Sequence, residues 1–262
     1  LKTRDNARVY KPAPALEEVG VEDLSIGMRQ NTKSGTGDED YNTVGTLAYE
    51  VHNSHALKFQ NVVNGWIRNV HTYRPAVNTG DFHTLSNIIL LNQTRGVTVQ
   101  DCVVERPQYE GGGGNGYGYT LRGNDNLIVG CVANHTRHNY DFKSLWSNGN
   151  AIVLCDGLNA RLSSDFHMHL SMANLFDSMY MAGDWLQGVY RNSGTVIHGY
   201  STTESVFWNT SGSGKNGVLV ESRQWGWGYV VGTSGATTNV VRGTQNGTAP
   251  EDFLEGQGLG WK

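Results

Sequence analysis

Polar and apolar residues alternate along Ser163–Tyr180 (S-S-D-F-H-M-H-L-S-M-A-N-L-F-D-S-M-Y). Asp165, His167 and His169 take every second position, and Phe166, Met168 and Leu170 fill the gaps. Strand side chains point alternately to opposite faces, so the pattern predicts a strand with an acid and two imidazoles on its solvent side. The same texture recurs in shorter pieces, each a small turn residue followed by a β-branched run. Examples are V-G-V-E-D-L-S-I (19–26), N-G-W-I-R-N-V (64–70), R-G-V-T-V-Q-D-C-V-V (95–104), N-G-V-L-V-E-S (216–222) and T-N-V-V-R-G (238–243).

These pieces are in register. When 126–149 is set above 150–173 without a gap, 8 of 24 positions agree, including Asn126/Asn150, Cys131/Cys155, Arg137/Arg161, Asp141/Asp165 and Phe142/Phe166. A third copy from Asn174 places Tyr190 under Phe166. Short strands recurring at this period predict stacked repeats. A leucine-rich repeat is excluded because its L-x-x-L-x-L pattern is missing. The expectation is an all-β, single-domain right-handed parallel β-helix with coils of about 24 residues and loops inserted at the turns, notably at 110–118. Residues 1–18 read as an irregular N-terminal segment, 19–243 as the solenoid and 244–262 as an irregular tail.

Composition agrees: 34 Gly, 5 Pro and only 17% charged residues suit strands and turns better than helices. A net charge of -4 offers no broad basic surface for nucleic acid, and no apolar run is long enough to span a membrane. Cys102, Cys131 and Cys155 cannot all pair within one chain. Cys131 and Cys155 share a phase and are expected to stack as free thiols inside the coil. Asn126, Asn150 and Asn174 are expected at coil corners, where Asn tolerates the left-handed backbone and can bond along the stack.

The Asn-led coils, with N-G-W-I-R-N-V and G-V-T-V-Q-D-C-V-V, resemble the right-handed parallel β-helix proteins of the pectin-lyase-like superfamily over roughly residues 19 to 243. The resemblance lies at the level of fold, and no lyase or hydrolase signature comes with it. It implies a secreted or cell-surface carbohydrate-active protein. Four N-glycosylation sequons, at Asn92, Asn134, Asn209 and Asn246, are weak signs of the same compartment.

With Phe142, Phe166 and Tyr190 pointing inward, steps of 24 predict an outward column of Tyr119, Lys143, His167 and Arg191, beside Asp141 and Asp165. Exposed strand positions are ordinarily polar without any function. Like charges stacked at strand spacing repel, however, so an anionic ligand is the favoured partner. Three chemistries fit. In the first, a polysaccharide lyase acts on a uronic-acid polymer: Lys143 or Arg191 neutralises the carboxylate, His167 is the base and Tyr119 protonates the leaving oxygen. In the second, Asp141 and Asp165 form the acid and base of a glycoside hydrolase. In the third, Asp165-x-His167-x-His169 binds zinc, or calcium bridges Asp141 and Asp165 with a substrate carboxylate; no resident metal is assigned. A non-catalytic fibre or adhesive β-helix is the alternative to all three.

Substrate-binding candidates beside the column are His169, Arg137, Arg161 and His135, the last near His138 at a coil corner. Trp225, in R-Q-W-G-W-G-Y, would be a sugar platform if it faced outward. Large aromatics are mostly buried, which favours the core. Solenoids need covered ends, so a further N-terminal part of the same helix, or a partner chain, is expected to close the stack.

Overall fold

The computed structural model describes residues 15–193 and 198–234, together with the backbone of 239–242. Most of the expected N-terminal segment and the whole 244–262 tail lie outside the described residues. Within 1–18, Leu16–Glu17 is not irregular: it pairs in parallel with Val62–Val63.

Two long sheets, of 10 and 13 strands, carry the fold, and nearly every pairing is parallel. Strands from successive repeats lie in three rows. One row runs through Thr98–Gln100, Leu127–Val129, Ala151–Val153, Leu175–Asp177, Ser205–Trp208 and Gly228–Val231. The next runs through Val103–Glu105, Val132–Asn134, Asp156–Leu158 and Tyr180–Ala182. The third, which carries the site, runs through Asn87–Arg95, Tyr117–Asn124, His138–Phe142, Ser164–Phe166, Leu186–Gly188 and Val218–Ser222. The architecture fits a parallel β-helix. Among the described residues no helix is long and apolar enough to cross a membrane.

The interior is built from columns of like residues. Val99, Ile128, Ile152, Phe176, Phe207 and Val230 follow one another along the first row and are fully buried. Phe142 stacks on Phe166 with centroids 4.9 Å apart, and Tyr119 on Tyr140 at 5.2 Å. Each such ring contributes roughly 1.5–3 kcal/mol by leaving water. Cys131 and Cys155 stack as expected, and Cys102 joins them. All three are free and buried. The Cys102 N–H donates to Cys131 Sγ and the Cys131 N–H to Cys155 Sγ, at 3.4 and 3.3 Å.

The asparagines form a ladder through their side chains. Asn126 donates its backbone N–H and its amide to Asn150 Oδ1, at 3.0 and 2.9 Å. Asn150 does the same to Asn174 Oδ1, both at 3.0 Å. They do not occupy the left-handed backbone region. The residues just before them do: Asp125 (φ 55), Gly149 (φ 67) and Ala173 (φ 54).

A step of 24 holds from Asn126 to Asn174, but the site row departs from it on both sides. Tyr119 lies opposite Tyr140, not one step above Lys143, and Asp165 lies opposite Gln187, which puts Tyr190 outside the core with 40% of its surface exposed. The turns between strands absorb these differences in length, so the rows stay aligned although the numbering does not.

The loop at 110–116 and the stretch 37–52 are inserted beside this row. Gly112 N–H bonds to Asp38 O at 2.9 Å. A Cβ on Gly113, whose φ is +69, would lie 2.6 Å from Tyr41. The short helix Leu47–Val51, capped by Thr46 Oγ1 accepting from Tyr49 N–H, packs with Tyr109 in a small apolar cluster of its own.

Candidate functional site

The inserted loops wall a groove of about 840 Å³ over the third row. Glu39, Tyr41 and Gly112–Gly114 form one side. The floor and far side include Tyr117, Arg137, His138, Lys143, His167, Gln187, Arg191 and His198.

Beneath His138, His167 and Arg191 lies Asp165, fully buried. One carboxylate oxygen, Oδ2, faces three nitrogens: Arg191 Nη2 at 2.7 Å, His167 Nδ1 at 3.3 Å and His138 Nδ1 at 3.5 Å. Burial by itself would raise the Asp165 pKa, but Arg191, His138 and His167 together hold it well below the usual carboxylate range. Burial and then the nearby Lys143 charge push His167 well below an ordinary imidazole, against the pull of Asp165. His167 therefore stays neutral, carries its proton on Nδ1 toward Asp165 and keeps a lone pair on Nε2. That Nε2 faces the Tyr117 hydroxyl at 3.5 Å, long for a hydrogen bond. His138 donates Nδ1–H to Ser163 O at 2.7 Å, and burial lowers its pKa to about 3.

Tyr117 sits between rings and a cation. His138 stacks on it at 4.7 Å and 10°, and Lys143 Nζ lies 3.8 Å from its ring centre, a cation–π contact. Burial raises the Tyr117 pKa, so the phenol keeps its proton. Arg191 is spent inside the protein: besides Asp165, it donates Nη1–H to Phe166 O and His167 O at 3.0 and 2.8 Å. The cations facing a ligand are thus Lys143 and Arg137.

Compared with family models, curated proteins and solved structures, this chain matches none of them.

Several expected positions are corrected. Tyr119 is not on the outer face: it is fully buried, and its hydroxyl bonds Cys102 O at 2.9 Å. Tyr117 stands in its place. Asp141 and Asp165 are in register but are sealed from solvent, not displayed. Burial raises the Asp141 pKa, against the pull of Lys143, and its neighbour Asp165 raises it further. His169 leaves the strand, which ends at Phe166. It turns through φ 63 and meets the groove from a loop. Arg161 is tied to Asp38 at 2.8 Å and to Glu110 O; with His135 it lines a separate hollow of about 530 Å³. Trp225 is exposed, not core.

The sequence-predicted residues brought together are Lys143, His167, Arg191, Asp141, Asp165, His169 and Arg137. Missed were Tyr117 and the central place of His138, along with Gln187 and His198. A signal for the first two exists: Tyr117-x-Tyr119-x-Leu121 repeats as His138-x-Tyr140-x-Phe142, which fixes the shorter step.

His138, Asp165 and His167 offer donor atoms within 4.8 Å of one another, but a cation fits badly there. Arg191 and the His167 Nδ1–H already aim at the Asp165 oxygen, and the His138 Nδ1 is taken by Ser163 O. Calcium, which takes six or more oxygens, fits no better at Asp141 and Asp165, with Lys143 Nζ 3.6 Å from Asp141 and Arg191 on Asp165. The arrangement suits an anionic ligand and proton transfer.

Proposed function

We propose that the protein is a polysaccharide lyase that cleaves a uronic-acid-containing polymer by β-elimination. The observation that carries this is His167, held against buried Asp165 and facing Tyr117, in a groove that presents Lys143 and Arg137. Lys143 and Arg137 neutralise the substrate carboxylate and so acidify the C–H beside it. His167 Nε2 removes that proton. The C–H electron pair becomes a carbon–carbon double bond as the β carbon–oxygen bond breaks. Tyr117 gives its proton to the leaving oxygen, and His167 returns the captured proton to Tyr117, which closes the cycle.

Two broader readings support it by analogy alone. We read the coils as right-handed, the hand that parallel crossovers take almost without exception, and the Asn-led repeats keep their likeness to the pectin-lyase-like superfamily. A substrate of this class places the protein outside the cell. The hydrolase reading is favoured by the register of Asp141 and Asp165 but opposed by their complete burial.

The test offers the parent, His167→Ala, Tyr117→Phe and Tyr119→Phe a panel of uronic-acid polymers and follows ultraviolet absorbance of unsaturated product. His167→Ala and Tyr117→Phe should each lower turnover by about 10² to 10⁴, while Tyr119→Phe turns over normally. Reducing ends without unsaturation would transfer the activity to the carboxylate pair. Absence of both, with unchanged polymer binding in His167→Ala, would leave a non-catalytic β-helix.

A further inference from the structure

We propose that Tyr190, Tyr200 and Trp225 form a stacking platform for sugar rings that extends the groove by further subsites. The inference rests on the polymer-binding reading above and names a part of the surface that the chemistry does not use.

The observations are of continuity and rigidity. The His198 ring lines the groove 4.9 Å from the His167 ring. Two residues on, Tyr200 packs 4.8 Å from Tyr190 and 4.7 Å from Trp225. Tyr190 directly precedes Arg191, whose guanidinium is fixed on Asp165. The aromatic row therefore starts at the rim of the groove and leads away from it. Tyr190 and Trp225 are 40% and 42% exposed, a costly way to present large apolar rings unless something covers them.

The backbone beneath Trp225 is pinned. Arg223 N–H bonds Gly188 O at 2.7 Å and Trp225 N–H bonds Thr202 O at 3.1 Å. Thr203 Oγ1 donates to Trp225 O at 2.7 Å. Between them Gln224 is buried and grips Ser205 through both its N–H and its carbonyl, at 3.0 and 2.9 Å. The loop thus turns Gln224 inward and Trp225 outward on a frame that needs no ordering when a ligand arrives. A preformed, amphipathic ring suits the C–H faces of a pyranose, while the charged groove holds the carboxylate of the sugar being cleaved. The occupant is the same polymer, several residues away from the bond that breaks.

The experiment compares the parent, Trp225→Ala, Trp225→Phe and His167→Ala on short uronate oligomers and on long polymer. Trp225→Ala should raise KM for long polymer about tenfold, leave kcat and the short-oligomer KM unchanged, and be rescued by Trp225→Phe. An unchanged KM on long polymer, with turnover lost in His167→Ala, would overturn the platform and leave the lyase standing. If no polymer is turned over, intrinsic fluorescence titrations of parent and Trp225→Ala with acidic and neutral polysaccharides decide instead. A titration signal that Trp225→Ala loses supports the platform, and identical titrations with every polymer overturn it. The exposed site makes Trp225→Ala a folded variant, which its unfolding curve verifies.

Discussion

Replacing Arg191 with Met should destabilise the protein severely at neutral pH and much less in acid. The guanidinium is the closest partner of a carboxylate with no solvent access, at 2.7 Å, and is itself only 16% exposed. It also satisfies two backbone carbonyls. Methionine fills the volume but leaves Asp165 charged, buried and short of its main counter-charge. Breaking a buried pair on one side costs about 3–5 kcal/mol, a large fraction of a typical domain stability of roughly 5–15 kcal/mol. The pH dependence follows in sign. Asp165 has a depressed pKa in the folded state, so its contribution is fully present above the unfolded carboxylate value of about 3.9 and is lost as pH falls below it. The deficit of Arg191→Met should therefore be largest above about pH 4 and shrink below it. Urea unfolding followed by tryptophan fluorescence at pH 7 and near pH 3 measures this, and the midpoint at pH 7 should fall by more than about 1 M. A variant within about 1 kcal/mol of the parent at pH 7 would refute the central place given to this pair.

Three further outcomes are expected. The stability difference between the parent and His138→Gln should change by roughly 1.4 kcal/mol per pH unit between about pH 6.5 and 3, the parent losing ground in acid because its buried imidazole binds no proton until the chain unfolds; parallel curves would contradict this. Asn150→Ala should cost about 2–4 kcal/mol, since it orphans the backbone and amide N–H groups of Asn126 and removes the amide donor to Gly123 O, while Asn174 Oδ1 keeps only the backbone N–H of residue 150, and calorimetry can read the shift. All three cysteines are free and buried, so they should resist thiol reagents in the native protein and react only at the rate of unfolding; rapid labelling without denaturant would count against the stacked interior.

The fold was legible where repeats are ungapped. Asn126, Asn150 and Asn174, Cys131 and Cys155, and Phe142 and Phe166 all fell in register because their coils have equal length. The site was half legible. Alternation correctly turned Phe166 inward and His167 toward the groove, but it could not show how deep Asp165 lies, because His138 and Arg191, which close on its carboxylate, come from neighbouring coils. Extrapolating the step of 24 beyond the equal coils misplaced Tyr119 and Tyr190. A repeat reports the period of its matching copies, and a turn that loses residues changes the numbering without changing the ladder. Trp225 was misjudged for a different reason: hydrophobicity predicts burial on average and cannot see Gln224 taking the inward position beside it.

The order of strands in the site row follows the order of the chain, from Leu16–Glu17 at one end to Asn239–Arg242 at the other. The hydrogen bonds between coils lie along that same line. A force applied to the two ends therefore loads them one rung after another and never shares the strain across the whole sheet. Pulled in this direction, the molecule should give way by peeling at low force. Each step of 24 residues should lengthen it by on the order of 80 Å, and the amide-rich coils between Asn126 and Asn174 should be the last to let go.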